Sequence, residues 1–423
     1  MAGPIPLGLL PDTAWVSADG RLSIGGCDLV DLAGEYGTPL FVYDEAHLRA
    51  RCREAVAAFG DGVAYASKAF LCGAMARLAH EEGMHLDVAT GGELFVARRA
   101  GVPADRLVMH GNNKSDVELV MALDEGVGRI VVDSFDELDR LDGLAAATGS
   151  RPRVLLRITP GVEVHTHEFI ATGQDDSKFG FTVSSGLAAA AVERATASDS
   201  VELVGLHAHI GSQVFEVGAF ARAVEVLAGF AAPFGLAELS VGGGLGVPYV
   251  EGESAPSISE WAAGIRAVCE ASGVTASVSA EPGRAIVAAA AVTLYTVGTI
   301  KDLPGIRTYV AVDGGMSDNP RPVLYGSGYE TFLPRAPAAD RSRPVRVVGK
   351  HCESGDLLVR EGWVPGDLMV GDVLATPVTG AYGHAMGSNY NHVLRPAVVF
   401  VADGDAREVV RRETFEDLVR REA

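Results

Sequence analysis

Glu238-Leu-Ser-Val-Gly-Gly-Gly-Leu-Gly246 is the stretch on which the fold turns. Its first four residues form a short apolar run of strand type. The glycines that follow form a turn whose backbone carries no side chains. Its place in the chain decides its meaning. Six comparable runs precede it, at 63–67, 85–89, 106–109, 129–132, 153–158 and 201–209, and one follows, at 276–280. Segments of helical type lie between them. In one, Phe220, Ala223, Val224 and Leu227 share a face. Thr90 with Glu93, Ser115 with Glu118 and Ser134 with Glu137 read as capping boxes that open helices shortly after strands. Eight βα units in series predict a closed (β/α)8 barrel of the TIM type. An open doubly wound sheet would carry its glycine-rich turn after the first strand. Here the turn follows the seventh, where barrels commonly hold a phosphate.

Outward from the barrel the pattern changes. After about residue 286, alternating or apolar runs at 292–300, 308–312, 345–348, 373–377 and 393–401 are divided by Gly, Asp and Pro turns. This predicts a β-rich second domain, sandwich- or barrel-like, over 286–423. Residues 1–35 also read as strands and turns that join this domain, which leaves 36–285 for the barrel. The proline-bearing segment 334–344 reads as a mobile loop.

Composition narrows the function classes. The chain has 423 residues, 48% hydrophobic and 21% charged, with a formal net charge of −20. A surface of that sign repels nucleic acid. No apolar run is long enough to span a membrane, and residues 1–10 lack a signal-peptide pattern, so the cytoplasm is the expected location. The five cysteines are scattered without a CxxC pair, which points to reduced thiols rather than a disulfide framework or a zinc ribbon.

Barrel active sites lie at the C-terminal strand ends. There the sequence delivers Lys68, Asp87, His110, Asp133, Arg157, His207 and His209, the glycine run, and Glu281-Pro-Gly-Arg284. A lysine ending an apolar strand is expected to be desolvated, which frees its amine for Schiff-base chemistry. Its structural alternative is an ion pair with Asp87. The glycine run can close N–H groups around a phosphate, with Ser212 adding a hydroxyl. A carboxylate such as Glu281 can keep a pyridine nitrogen protonated, and an imidazole such as His209 can lie on the ring. A salt bridge to Arg284 would be the purely structural use of Glu281. His207 and His209 point the same way on a strand. With His110 and Asp87 they also suit a metal-dependent hydrolase, though that reading leaves Lys68 and the glycines idle. In the second domain, Arg321, Tyr325 and Glu353 suit an amino-acid end, guanidinium for carboxylate and carboxylate for ammonium.

Tyr65-Ala-Ser-Lys-Ala69, His110-Gly-Asn-Asn-Lys-Ser115, His209-Ile-Gly-Ser-Gln213, Gly242-Gly-Gly-Leu-Gly246, Glu281-Pro-Gly-Arg284, Cys352-Glu-Ser-Gly-Asp356 and Gly380-Ala-Tyr382 stand together in this chain. With these motifs it resembles the diaminopimelate decarboxylases of the fold-type III class of pyridoxal-phosphate enzymes. The segment 160–170, continuing to Ser177-Lys-Phe-Gly180, resembles that branch rather than ornithine or arginine decarboxylases. The resemblance implies pyridoxal 5′-phosphate as cofactor and conversion of meso-diaminopimelate to lysine and carbon dioxide. It implies Lys68 as the Schiff-base lysine, His209 stacked on the cofactor, and Asp87 nearby. Ser212, Gly243, Gly244 and Gly283 would hold the phosphate, and Glu281 would face the pyridine nitrogen. Arg284, Arg321 and Tyr325 would take the substrate's distal carboxylate, Glu353 its ammonium, and Tyr382 would touch cofactor or substrate. It further implies a homodimer with shared active sites, in which Cys352 protonates the reacting carbon. One departure stands out, since Gly383-His384 follows Gly-Ala-Tyr where the family often has Cys. Decarboxylation of ornithine, of a D-amino acid or of a carrier-bound substrate, and cofactor binding without catalysis, are the remaining alternatives.

Overall fold

The computed structural model describes residues 2–162, 175–209 and 211–423. Most of the 160–170 motif and Ile210 therefore lie outside the described residues. The chain divides into two compact units, one of residues 51–246 and 255–285, the other of residues 1–50, 247–254 and 286–423.

The first unit is the barrel. Its strands are Ala64–Ala66, His85–Val88, Leu107–Met109, Arg129–Val132, Arg153–Thr159, Glu202–Ala208, Glu238–Ser240 and Ser277–Ser279, each parallel to the next. Closure is visible in the hydrogen bonds Ala64 N–H to Ala280 O (3.0 Å) and Ala66 N–H to Pro282 O (3.2 Å), which join the first strand to the end of the last. Inside, Val108, Val131, Leu155 and Val204 form one packed cluster from four successive strands. Such a layer makes the barrel a filled core rather than a pore, and leaves the polar strand ends to form the site. Helix Val217–Ala231 buries Phe220, Ala223, Val224 and Leu227, the face that their spacing predicts. Of the three expected capping boxes, only Ser115 with Glu118 is reciprocal. Thr90 and Ser134 accept their N–H bonds, but the glutamates turn elsewhere. Glu93 takes the Ala89 N–H, and Glu137 is drawn to buried Lys114.

The second unit is built on a mixed sheet. Its strand order is Leu357–Val364, Arg343–Val348, Arg307–Val312, Ala291–Leu303, Leu40–Asp44, Ala397–Ala402 and Asp405–Val410, with Val373–Pro377 also pairing Ala291–Leu303. One face buries Leu40, Val42, Val292, Leu294, Val399 and Val401 with Leu22, Ile24, Leu29 and Leu32 from the N-terminal segment. The boundary expected at residue 36 therefore lies later. Leu40–Asp44 is fully buried between Ala291–Leu303 and Ala397–Ala402, so burial on both faces places it in this sheet. The stretch 334–344, expected to be mobile, is anchored. Arg341 is 1% exposed and bonds Glu330 (2.6 Å), and Arg335 bonds Asp372 (2.8 Å). No helix among the described residues is long and apolar enough to cross a membrane.

Candidate active site

At the C-terminal mouth of the barrel the strand ends converge on Glu281. Its Oε2 lies 2.9 Å from His207 Nε2, and its Oε1 accepts from Ser240 Oγ at 2.7 Å. His110 stands edge-on to His207, ring centroids 5.1 Å apart, with Nε2 3.7 Å from Glu281 and 3.4 Å from Asp87. Burial pushes the Glu281 carboxyl up. The neighbouring His207 and His110 imidazoles and the His207 and Ser240 hydrogen bonds outweigh it, and the group lies well below the usual carboxylate range. Asp87 moves the other way. Burial and the Glu281 charge raise it far above an ordinary aspartate, and Lys68 offsets this only in part. Burial pulls His110 down to about 3. Burial, helped by the charges of Lys68 and Arg157, holds His209 well below its usual value. The floor of the site is thus one ionised carboxylate, with His110 and His209 held neutral by burial.

Lys68 sits on the single turn Ser67–Ala69 after the first strand, and its side chain is exposed. This corrects the expectation of a desolvated lysine. The turn carries it past the strand end, where its charge acts on Asp87, Glu93 and His209. Glu281, whose structural alternative is a salt bridge to Arg284, is bonded by His207 and Ser240. Arg284, 7% exposed, instead donates to Ser212 Oγ at 2.8 Å.

The glycine run is shaped by close approach. A Cβ on Gly242 would meet Ala208 O at 2.3 Å, one on Gly243 would meet Glu281 O at 2.3 Å, and one on Gly244 would meet Gly211 O at 2.2 Å. Gly244 also has φ 113°, a region that side chains avoid. Val214 bonds Gly244 O and receives the Gly246 N–H, so the loop after the sixth strand is laced to the run. Gly243, expected to bind phosphate, gives its N–H to His209 Nδ1 (3.1 Å). That bond leaves the His209 proton on Nε2 and fixes the ring. The expected metal set of His207, His209, His110 and Asp87 does not come together as a whole. Among the described residues the groups close enough to share an ion are His110, His207 and Glu281, within 4.8 Å of one another.

The second unit holds the remaining candidates. Arg321 opens the short helix Arg321–Tyr325 and is 4% exposed. Its guanidinium lies 4.0 Å above the Tyr249 ring, and Nη1 donates to the Tyr329 hydroxyl. Tyr325 is half-buried. Cys352 and Glu353 are exposed on the loop between strands Arg343–Val348 and Leu357–Val364. The Cys352 N–H donates to Asn391 Oδ1 (3.0 Å), and a Glu353 oxygen accepts the Gly355 N–H (3.2 Å). Tyr382 is half-buried with φ 60°, a strained conformation for a side chain of its size. His384 packs against Phe41 in a T-shaped pair, centroids 5.8 Å apart, and burial with the Arg395 charge pulls it down to about 4. Gly283 lies in the barrel unit, where a Cβ would come 2.9 Å from Ala66 O.

Sequence reasoning missed Ser240, Tyr249 and Tyr329. A hydroxyl in the three-residue strand Glu238–Ser240 is a signal that could have flagged Ser240. The tyrosines lie in loops without period, so nothing local marks them as supports for Arg321.

The residues present fit a pyridoxal phosphate. A buried ionised carboxylate, an oriented imidazole, a glycine cradle and a lysine surround one strand-end mouth. Comparison with known proteins agrees. Residues 45–288 match the family model "Pyridoxal-dependent decarboxylase, pyridoxal binding domain". The chain is 50% identical over 421 residues to the diaminopimelate decarboxylase of Mycobacterium tuberculosis, covering 95% of this chain and 94% of that one. It is 46% identical over 430 residues to that of Bacillus subtilis, covering 97% of each. The structure of the M. jannaschii diaminopimelate decarboxylase in complex with L-lysine superposes with a TM-score of 0.90 at 32% identity, over 97% of this chain and 98% of that one.

Proposed function

The chain belongs to the pyridoxal-dependent decarboxylases, and among them to the diaminopimelate decarboxylases; on that footing we propose that it converts meso-diaminopimelate to L-lysine and carbon dioxide. The observation that carries this reading is Glu281, held ionised at the barrel mouth by His207 and Ser240. When bound, pyridoxal phosphate supplies a protonated ring that accepts the electron pair left by the departing carboxylate. Glu281 presents the fixed negative charge that keeps a proton on the ring nitrogen. Lys68 supplies the amine that holds the cofactor. His209, aligned by Gly243, offers a flat neutral ring to the cofactor face. Ser212, Gly244 and the Gly283 backbone bind the phosphate, and Asp87 and Tyr382 line the cofactor. Arg284, Arg321 and Tyr325 read the substrate's distal carboxylate, and Glu353 its distal ammonium. Cys352 delivers the proton that completes lysine. The working form is a cytoplasmic homodimer in which the loop of Cys352 and Glu353 serves the other subunit's site.

The test combines spectroscopy with a substrate panel. The purified protein is expected to absorb in the near-visible, to bleach with borohydride and to carry the pyridoxyl mass on Lys68. It should release carbon dioxide from meso-diaminopimelate in preference to ornithine, D-amino acids and carrier-bound substrates. A colourless protein without that mass would sink the cofactor roles. Faster turnover of ornithine would overturn the substrate.

A further inference from the structure

The N-terminal end of the barrel, opposite the mouth that holds Glu281, carries a cavity of about 480 Å³. Four arginines line it. Arg106 stands just before the third strand, Arg129 opens the fourth, Arg151 precedes the fifth and Arg153 opens it. The wall between the first two is close-packed. A Cβ on Gly128 would lie 2.1 Å from Asp105 O, and the Gly128 N–H donates to Ala104 O (2.9 Å). The positive charge is only partly answered. Arg106 bonds Asp61 Oδ1 (2.6 Å) and Gly83 O (2.7 Å). Arg129 and Arg153 share one carboxylate, because Glu238 Oε1 accepts from both, at 2.8 and 2.7 Å. Arg151 is exposed and has no hydrogen-bond or ion-pair partner among the described residues. Asp105 is the one further carboxylate of the lining. Four guanidinium groups thus meet three carboxylates, in a chain whose net charge is −20. His85 reports the local field. Burial, with the Arg106 and Arg129 charges, pulls it down to about 4, and Asp61 offsets this only in part.

We infer that this cavity is a second ligand site, which takes a phosphate group, free or esterified. Its volume falls within the roughly 300–1,000 Å³ of small-molecule pockets. Guanidinium groups bind oxyanions through paired N–H donors, and here they come from the approaches to three different strands. A carboxylate presents its acceptors in one plane and suits one such fork. A phosphate presents acceptors in several directions and can take several forks at once. Asp61 and Glu238 hold three of the arginines in place, and Arg151 is left for an incoming anion. The site lies at the end of the barrel away from the chemistry and is independent of the substrate proposed above.

The experiment uses the full-length protein loaded with cofactor, so that the cofactor's own phosphate site is filled. Inorganic phosphate, glycerol 3-phosphate and citrate are titrated by calorimetry, in chloride buffer at fixed ionic strength, into wild type, Arg151→Ala and Arg153→Ala. Both phosphate compounds are expected to bind wild type at one site per chain, and more tightly than citrate. Tighter binding of glycerol 3-phosphate would assign the site to a phosphate ester, and equal binding to the free ion. Each variant loses a charge-assisted contact and should bind about tenfold more weakly, or worse. Arg151→Ala should keep the wild-type cofactor absorbance and the wild-type melting temperature in the absence of the anions. No binding of either phosphate compound at millimolar concentration would overturn the inference and leave the arginines as ties that fasten the barrel end. Full-strength binding in both variants would put the anion elsewhere and overturn it too. Citrate binding more tightly than either phosphate compound would overturn the ligand class.

Discussion

At the scale of single residues, burying a carboxyl costs free energy and moves its titration. Asp318, 2% exposed, illustrates the cost. Burial, with Asp313 and Asp356 close by, raises its carboxyl to about 7 against the pull of the Gly315 N–H. An acid whose folded pKa lies above its unfolded value stabilises the fold fully at low pH. That contribution is lost as pH rises from the ordinary aspartate value through about 7. Wild-type protein should therefore melt at falling temperature as pH rises from about 4 to about 7, whereas Asp318→Asn should show a flatter profile. Thermal melts across that window decide it, and parallel profiles would show that Asp318 does not titrate there. Much of the residue-scale site is legible in the sequence, because Lys68, Glu281 and the glycines stand at strand ends that periodicity alone locates. The contact each residue makes is not. Glu281 turned to His207 and Ser240, and Gly243 to His209, and these choices depend on residues far along the chain.

At the scale of elements, the loops after the third and fourth strands are held by a buried ion pair. Lys114 Nζ donates to Gly111 O (2.7 Å), to Val131 O (2.6 Å) and to Glu137 (2.6 Å), with both side chains 1% exposed. The Glu137 carboxyl is raised by burial and lowered again by Lys114. Removing one member of such a pair strands the other charge. Lys114→Met should destabilise the protein by about 3–5 kcal/mol. The double variant Lys114→Met with Glu137→Leu should recover much of that loss. Denaturant melts measure both, and a double variant as weak as the single would refute the pairing argument. Barrel strands and helices are readable from the sequence because their periods are local. Strands Leu357–Val364 and Asp405–Val410 are not, because their exposed, charged positions blur the alternation. Leu40–Asp44 is misplaced for a different reason. Its apolar run Leu40–Tyr43 reads equally well as a barrel strand, and only pairing with Ala291–Leu303 and Ala397–Ala402, far along the chain, assigns it.

At the scale of the whole molecule, the proposed homodimer with shared sites makes a complementation prediction. Lys68→Ala and Cys352→Ala should each be inactive alone. Mixed after unfolding and refolding, half the dimers pair one of each, and each such dimer holds one intact site of two. Activity should recover to about a quarter of wild type. No recovery from well-folded, mixed dimers would place Lys68 and Cys352 in the same subunit's site.

What the sequence by itself determined was the barrel, the β-rich second unit and the cofactor chemistry. Strand period, helix-start residues and motif spacing are properties of neighbouring residues, and they survive without knowledge of the fold. Only the tertiary structure decided which side chains hold which. Glu281 meets His207 across 74 positions and Ser240 across 41, and Asp356 meets Met316 across 40. Barrel closure and sheet pairing bring such groups together. Burial then forces each polar atom to take whatever donor or acceptor the fold supplies, and no local pattern in the chain encodes that choice.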